Sequence, residues 1–292
     1  MKNFIFLNYG IKIDKIYEKD SKKYFFMNNT KYYIYENIKN EKYIDILFNV
    51  TNNMFYNNIK VNTFILNKEK KYITQKNDNR ICILKVNDLE NDLTLQYLKK
   101  FEFYSSNLDN YDIIDDWKKT IDNLEKEMIE YNKEFQVIQN SINYFIGMGE
   151  NAISLLNNYK NEIISNNNSI GHKIEKNGMN LNNPFTFIKT NRMYNLANYI
   201  KFIFYKGTID YDVVDLIIKN VSNEYEAIFL FSNLLYPNFY FNIIEEIIKD
   251  NKNEELLRMF IDNRKKYNDL LFYIQNRFKN VKDITLISWI SE

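Results

Sequence analysis

The chain has 292 residues and sets 39 lysine and arginine side chains against 38 aspartate and glutamate side chains, a formal charge of +1. This balance gives no sign of a nucleic-acid partner, and a hydrophobic content of 45% excludes a disordered chain. The chain holds 48 asparagines but only 6 glycines and 1 histidine, a bias that an AT-rich genome produces. We therefore expect a globular protein in which glycine-rich and histidine-rich sites are scarce.

The single cysteine, Cys82, excludes an internal disulfide and a zinc site built from several thiolates. It lies in the apolar run 81–84, which predicts a buried structural thiol. No apolar run reaches the roughly 18 residues of a membrane span. The apolar stretch at the amino terminus is too short for a signal peptide. The expectation is a cytoplasmic protein without a membrane span.

Residues 1–104 are predicted to form a small β-rich lobe. Aromatic and β-branched runs separated by polar clusters predict strands at 24–27, 32–35, 63–66, 71–74 and 81–86. Between the second and third strands, apolar side chains recur at helical spacing and predict one helix with a buried face at Tyr43, Leu47, Val50 and Met54. The predicted order is strand, strand, helix and three strands.

Residues 105–292 are predicted to form a large helical lobe. Apolar residues recur every three or four positions from Trp117 to Ile138, which predicts one long helix that continues to Leu156 with an interruption near Gly147-Met148-Gly149. Residues 163–190 are irregular, and further helices are predicted at 192–206, 210–220, 223–235, 239–250, 253–262 and 265–279. The apolar tail 284–290 is predicted to pack back on the lobe. A small mixed lobe followed by a helical lobe is the outline of kinase-like α+β folds.

Glycine and histidine are too scarce for several common chemistries. A phosphate-binding loop needs glycine, and Gly10 is the only glycine in the first 146 residues. Gly147 and Gly149 lie within a helical pattern and predict close packing or a bend. His172 is the only histidine, which excludes a metal site built from several histidines. A structural role for His172 is favoured, and an acid–base role stays open.

The stretch from Ile163 to Ile209 is nearly free of carboxylates. Its one acidic residue, Glu175, stands among six basic residues: Lys173, Lys176, Lys189, Arg192, Lys201 and Lys206. A magnesium site for phosphoryl transfer needs more carboxylates than this stretch supplies. The basic residues are either a solvated surface or an anion-binding one, and Lys173, Lys176 and Arg192 are the candidate anion contacts.

Three segments of the helical half carry a family resemblance. Residues 144–153 are similar to an aromatic, Gly, Glu-Asn-Ala-Ile helix, and residues 233–242 to an Arg-Leu-Leu-Phe-Pro-aromatic-Tyr-Phe-Asp run. Residues 170–201 are similar to a His-basic loop, an Asn/Asp-Pro step and an Arg-Asp-Leu-Ala-Glu-Tyr-Ile-Lys helix. In this order, the segments resemble the spore-coat kinase-like proteins of the CotS/YutH type. Those proteins belong with the aminoglycoside phosphotransferases in the protein-kinase-like superfamily.

The resemblance implies an α+β, protein-kinase-like two-lobe fold with a small mixed sheet lobe and a large helical lobe. Active relatives carry a His-Gly-Asp loop, an Asn five residues later and a metal-binding Asp. The matching positions in this chain form a degenerate loop: His172, Ile174 for the catalytic Asp, Met179 for the Asn and Thr190 for the metal Asp. Two further acidic positions fall on Asn195 and Asn198. A strand lysine for the phosphates would come from around Lys31, which the sequence places in a turn.

The resemblance and the missing carboxylates together predict a pseudokinase, catalytically inactive, with a structural or interaction role and protein partners in the spore coat. No catalytic residue, metal or cofactor is expected. One alternative is an active small-molecule phosphotransferase that uses ATP and magnesium, in which Glu150, Glu175 and Asp210 converge. A second alternative is a nucleotide or phosphate sensor without turnover that binds through the three candidate anion contacts.

Overall fold

The structure is a computed structural model that describes residues 1–19, 22–38, 40–87, 94–101, 108–130, 135–175, 178–179, 181–250 and 253–291. These residues divide into two units. Among the described residues, the first contains 1–94, 108 and 181–187, and the second contains 95–101, 109–179 and 188–291. The predicted lobe boundary between residues 104 and 105 lies outside the described residues and stays a prediction.

The first unit is built on an antiparallel sheet. Its elements are α1 (Lys2–Tyr9), β1 (Tyr17–Lys19), β2 (Lys22–Met27), β3 (Thr30–Tyr35), α2 (Glu41–Tyr56), β4 (Thr63–Phe64), β5 (Thr74–Lys76) and β6 (Asn79–Lys85). The strand order is β1-β2-β3-β6-β4, and β5 pairs with β6. The sequence predicted the helix and five of these strands, although the strand expected at 71–74 begins only at Thr74. It missed α1 and β1.

Alternation along β2 and β3 separates the two faces of the sheet. Phe25, Tyr32 and Ile34 are buried on one face, in a core that also contains Ile5 of α1. The buried residues of α2 include three of the four predicted positions, at Leu47, Val50 and Met54. Cys82 is fully buried in β6, and burial raises the pKa of its thiol, which confirms a structural role.

Asparagine occupies the left-handed backbone positions of this unit. Asn28 and Asn29, with φ of 48° and 60°, form the β2–β3 turn, which needs two positive φ values. Positive φ recurs at Asn37, Asn58 and Asn77, whereas Lys70 is the one other non-glycine residue with this conformation in the described ranges. Asparagine enters this region at lower cost than most side chains. It therefore does in these turns what glycine does in other proteins.

The second unit is mostly helical. Its helices are α3 (Leu95–Lys99), α4 (Ile113–Glu130), α5 (Gln136–Asn157), α6 (Lys160–Ser165), α7 (Met193–Tyr205), α8 (Tyr211–Lys219), α9 (Glu224–Leu235), α10 (Asn238–Asp250), α11 (Arg258–Asp262), α12 (Arg264–Arg277) and α13 (Lys282–Thr285). Two short sheets lie between α6 and α7: β7 (Ser169–His172) with β10 (Phe187–Thr190), and β8 (Ile174–Glu175) with β9 (Gly178–Met179). Six predicted helices from 192 onward are present, the fifth of them as a 3-10 turn followed by α11.

The long helix predicted from Trp117 to Leu156 is two helices, because α4 ends at Glu130 and α5 begins at Gln136. The expected interruption at the glycines does not occur, since α5 continues through both. A Cβ atom on Gly149 would lie 2.9 Å from Ile121 Cδ1, whereas one on Gly147 would meet no atom within 4 Å. Close helix packing is therefore confirmed at Gly149.

Helix α9 is the centre of the second unit, with every residue from Glu226 to Leu235 buried. It packs against α5, α7 and α12. The stretch Glu224–Asp250 is the one candidate membrane span among the described residues, and 78% of its apolar window is buried inside the protein. Burial on all sides is typical of a core helix, whose apolar surface is already covered by protein.

The apolar carboxyl-terminal tail packs back on the helices, as predicted. Ile284 and Ile290 are buried. The Gln275 amide of α12 donates to the carbonyl oxygens of Ile284, at 2.8 Å, and Ile287, at 3.1 Å. One buried side chain thus satisfies two tail carbonyls that would otherwise lose their hydrogen bonds on leaving water.

Candidate functional site

The segment that resembles the catalytic loop begins in β7, at the buried His172. The Asn195 side chain of α7 binds this strand twice: its Nδ2 donates to the Ile170 carbonyl at 2.9 Å, and its Oδ1 accepts the His172 backbone N–H at 3.1 Å. The same Oδ1 lies 3.2 Å from His172 Nδ1, which places the proton on Nδ1. The Phe101 ring packs edge-on against the imidazole, at 4.5 Å. These contacts support the structural role that the sequence favoured.

Ile174, which the resemblance matched to the catalytic Asp, begins a short hairpin. Ile174 of β8 pairs with Met179 of β9, and Glu175 pairs with Gly178. The structure describes only the backbone of Glu175, Gly178 and Met179, and Lys176 lies outside the described residues. The aliphatic side chain of Ile174 can neither accept a proton from a hydroxyl group nor bind a metal ion.

Thr190, which the resemblance matched to the metal-binding Asp, lies at the end of β10. Thr190 is 1% exposed, and its hydroxyl has no hydrogen-bond partner within the described part of the chain. Its methyl carbon, Cγ2, would lie 2.4 Å from a Cβ atom built on Gly171. Thr190 is therefore a packing residue against β7, and glycine at 171 is required by this close approach.

Arg192, predicted as an anion contact, is bound by a carboxylate of its own unit. Its Nε and Nη2 each lie 2.8 Å from an oxygen of Glu226, and Nη2 also donates to Ser222 Oγ. Burial alone would raise the pKa of Glu226, but hydrogen bonds from Arg192 and from the Ser222 backbone N–H hold it below its ordinary value. Such a bidentate pair anchors the start of α7 to α9.

Lys173, the second candidate anion contact, also lies beside a carboxylate. Its Nζ is 3.9 Å from Asp116 Oδ1 and 4.5 Å from the centroid of the Tyr111 ring. Tyr111 donates its phenol hydrogen to the other oxygen of Asp116. Lys173 and Ile174 both line a cavity of about 100 Å³ with these residues. Asp116 lies in the first turn of α4, and nothing in the sequence indicated its place in this cavity.

Lys201 is a buried lysine with a structural role that the sequence did not indicate. Its Nζ donates to the carbonyls of Asn233 (2.7 Å) and Tyr236 (3.1 Å) and to Asn238 Oδ1 (2.7 Å). Both carbonyls belong to the end of α9, where the helix dipole favours a cation. Burial lowers the pKa of Lys201 well below its ordinary value. Three acceptors nevertheless match the three donors of an ammonium group.

Asn198, where the family carries Glu, joins the same network. Its Nδ2 donates to the Tyr194 carbonyl at 3.0 Å, and its Oδ1 accepts from Asn238 Nδ2 at 2.9 Å. The amide of Asn238 therefore links Asn198 to Lys201. At both Asn195 and Asn198, each half of the amide has a partner, so these side chains fasten α7 to its neighbours.

The carboxylates proposed for an active enzyme have other positions. Glu150 is exposed on α5, and Asp210 caps α8 by accepting the Asp212 backbone N–H at 2.9 Å. The side chain of Glu175 is outside the described part. Within the described ranges, no group of three or more His, Cys, Asp or Glu residues could hold a metal ion.

In the first unit, Lys31 lies on a strand and not in the predicted turn. It is the second residue of β3 and pairs with Phe26, because the turn is completed by Asn28 and Asn29 alone. Its Nζ lies 4.3 Å from the Tyr24 ring centroid and donates to the Tyr33 hydroxyl at 2.9 Å. The ammonium group is therefore held against aromatic rings of its own sheet.

Residues 181–187 also pack against this sheet. Phe185 stacks on Tyr35 of β3 with ring centroids 4.2 Å apart, and the Tyr35 hydroxyl donates to Asn183 Oδ1 at 3.2 Å. The Asn62 backbone N–H donates to the Asn182 carbonyl at 2.8 Å. The chain that follows the degenerate hairpin is thus tied to the first unit by stacking and by hydrogen bonds.

Comparison with known proteins finds the family described as "Spore coat putative kinase YutH", whose model matches residues 2–273. Comparison with curated protein sequences finds no match. Among solved structures, an aminoglycoside phosphotransferase from Alicyclobacillus acidocaldarius subsp. acidocaldarius DSM 446 is 10% identical with a TM-score of 0.65, covering 96% of this chain and 97% of that one.

Two other solved structures are similar in the same way. Spectinomycin phosphotransferase APH(9)-Ia, in complex with ADP and spectinomycin, is 10% identical with a TM-score of 0.56, covering 99% of this chain and 97% of that one. Amicoumacin kinase hAmiN, in complex with AMP-PNP, Ca²⁺ and Ami, is 8% identical with a TM-score of 0.53, covering 91% and 92%. These structural similarities establish the aminoglycoside-phosphotransferase-like, α+β fold. At identities this low, the activity has to be argued from the residues.

Proposed function

Within the spore coat YutH family of kinase-like proteins, to which the chain belongs, we propose that it is a pseudokinase. In this proposal it has the fold of the phosphotransferases but transfers no phosphate, and it acts through protein contacts in the spore coat. The proposal separates two properties that can be tested independently: the absence of turnover and the place of the protein in the spore.

The proposal rests on Ile174 and Thr190, the residues matched to two aspartates of active relatives. Phosphoryl transfer needs a carboxylate to position the attacking hydroxyl and further carboxylates to hold magnesium. The Ile174 side chain has no polar atom. Thr190 is only 1% exposed, so its hydroxyl is covered by the residues packed around it. Neutral side chains at both positions remove the charge that would offset that of the metal and the developing charge of the transition state.

The two alternatives have less support. An active enzyme would need carboxylates to converge, whereas Glu150 is exposed on α5 and Asp210 caps α8. A phosphate sensor would need cations available to the ligand, whereas Arg192 is neutralised by Glu226 and Lys173 lies next to Asp116. The phosphotransferase neighbours keep the enzyme alternative worth testing directly.

The first test measures phosphate transfer from γ-labelled ATP. The full chain is incubated with ATP and Mg²⁺, Mn²⁺ or Ca²⁺, with water, spectinomycin or the protein itself as acceptor. We expect no labelled product above the heat-denatured protein, because the carboxylates that would hold the metal are missing. Spectinomycin phosphotransferase, assayed in parallel, shows that the conditions support turnover.

Metal-dependent transfer would overturn the proposal if it disappeared in a carboxylate variant of the chain. The informative variants are Glu150→Gln, Glu175→Gln and Asp210→Asn. The matched control is Asp215→Asn, since Asp215 pairs with Arg277 on the surface. Transfer that survives all three variants and the control indicates a contaminating kinase, and repeating the assay after further purification then removes it.

The second test concerns the place of the protein in the spore. A tagged full-length chain is followed through the extraction of purified spores of the source organism. We expect the chain in the coat extract, with a cytoplasmic marker retained in the stripped spore. Recovery of the chain with the marker, and not with the coat, would contradict the proposed role whatever the result of the phosphate assay.

A further inference from the structure

The cavity of about 100 Å³ beside Ile174 is walled by aromatic side chains of the second unit. Trp117 and Tyr236 stack on each other with centroids 4.1 Å apart and planes 4° apart, and they form one wall with Phe241. Tyr111 forms another wall. A cavity of about 100 Å³ has room for a small head group.

One carboxylate is fixed at this cavity. Tyr111 donates its phenol hydrogen to Asp116 Oδ2. Burial, the nearby Tyr194 and the charge of Asp116 raise the pKa of Tyr111, so the phenol remains a donor. Asp116 Oδ1 has no hydrogen bond within the described chain. The nearest cation, Lys173 Nζ, is 3.9 Å away, which is too far for a hydrogen bond. The carboxylate is thus oriented by one oxygen while the other remains able to accept.

The ammonium group of Lys173 lies where such a site would hold a cation. It is over the face of the Tyr111 ring, at 4.5 Å, and beside the fixed carboxylate. Aromatic faces attract organic ammonium ions by cation–π interaction, and a neighbouring carboxylate adds Coulombic attraction. The Lys173 side chain is 47% exposed and joined to the site by no hydrogen bond that the structure describes, so little holds it there.

We propose that Asp116, Tyr111 and the aromatic wall of Trp117 and Tyr236 form a binding site for a small organic ammonium ion, and that Lys173 is its tethered occupant. An external ammonium ion binds by displacing the Lys173 side chain into solvent. Lys173, which the sequence predicted to contact an anion, therefore occupies a site that binds cations. The amide of Asn242, which lines the same cavity, supplies a polar contact for a substituent of the ligand.

The test uses tetramethylammonium chloride as the probe and Trp117 fluorescence as the readout. All proteins are full-length and carry Trp289→Phe, which leaves Trp117 as the single tryptophan and costs no hydrogen bond, since the Trp289 indole N–H has no partner in the described chain. Sodium chloride keeps the ionic strength constant. We expect saturable binding to Lys173→Ala with a Kd at least tenfold lower than for the protein with Lys173, because the competing ammonium group is gone.

Three comparisons decide the proposal. Adding Asp116→Asn to Lys173→Ala should weaken binding at least tenfold, and neutral tert-butanol should not compete. Lys119→Ala, which removes a similar lysine beside Asp115, should bind like the parent. Equal affinity with and without Lys173, or binding that survives Asp116→Asn, would overturn the proposal. Lys173→Gln replaces Lys173→Ala if the melting temperature shows that the latter is unfolded, and the absence of saturable binding to a folded variant also overturns it.

Discussion

Replacing Lys201 by methionine is expected to destabilise the protein by about 3 kcal/mol, since a buried acceptor left without a donor costs about 1–3 kcal/mol and each other hydrogen bond lost costs about 1 kcal/mol. Methionine keeps the length and apolar character of the lysine stem but donates no hydrogen bond. The Asn233 carbonyl would lose the donor described for it, whereas the Tyr236 carbonyl would keep the Asn238 N–H and Asn238 Oδ1 would keep the Phe239 N–H. Two of these groups belong to the backbone at the end of α9, so no side-chain change nearby can compensate.

The opposite result, a more stable Lys201→Met protein, is physically possible, so the experiment can contradict the prediction. Removing a buried charge can stabilise a protein when the whole network is replaced by apolar groups. Here the carbonyl acceptors remain after the substitution, so we expect the loss to dominate. The free energy of unfolding, measured by urea titration with circular dichroism, distinguishes the outcomes.

Lys206→Met is the matched control for this experiment. Lys206 follows the same helix α7 but is exposed, and its ammonium group contacts only the Phe202 ring, at 4.4 Å. We expect a change within about 0.5 kcal/mol, as for most surface substitutions. A Lys201→Met protein as stable as this control would mean that the three contacts contribute nothing net to the fold.

Replacing Gly171 by alanine is the second large effect, with an expected loss of about 3 kcal/mol from overpacking. The added Cβ atom would lie 2.4 Å from Thr190 Cγ2, 3.0 Å from Tyr194 Cδ1 and 3.1 Å from Ile188 Cγ1. Each of these neighbours is buried, so none can move into solvent. The melting temperature should fall, by roughly 2–4 °C for each kcal/mol in a domain of this size.

A second substitution isolates the contact responsible. Thr190→Ser removes the Cγ2 atom that the new Cβ would strike, so Gly171→Ala with Thr190→Ser should recover much of the lost stability. Gly147→Ala controls for the change of residue type, because a Cβ there meets no atom within 4 Å, and it should stabilise α5 by about 0.5–1 kcal/mol. Strictly additive effects of the substitutions at 171 and 190 would show that the clash is relieved elsewhere.

The helices of the second unit could be predicted closely because their buried faces repeat. The predictions at 210–220 and 239–250 correspond to Tyr211–Lys219 and Asn238–Asp250. Helix α1 could not be predicted in this way, since its apolar residues are consecutive and only Ile5 is buried. The break between α4 and α5 was not predicted, since the interruption was expected at the glycines, where Gly149 serves helix packing instead.

The site was predictable only where local composition was sufficient. The shortage of carboxylates from Ile163 to Ile209 pointed to neutral side chains at Ile174 and Thr190 without any knowledge of contacts. The partners of the cations could not be found this way, because they are far away in sequence: Glu226 lies on α9 and Asp116 on α4. A basic residue looks the same in a sequence whether it faces solvent or a carboxylate.

The asparagines at positive φ have a consequence for the denatured ensemble. An unfolded chain with glycine at these positions would sample more conformations than one with asparagine, and fixing it would cost more entropy, by about 0.4–1 kcal/mol per position on the scale of glycine-to-alanine exchange. Five asparagines take such positions, two of them in the β2–β3 turn. Glycine enters positive φ more readily than asparagine, so the smaller entropy loss of asparagine is offset by the cost of reaching this region. Asn28→Gly and Asn29→Gly should therefore each change the free energy of unfolding, measured by urea titration, by less than about 1 kcal/mol, because the two effects oppose each other.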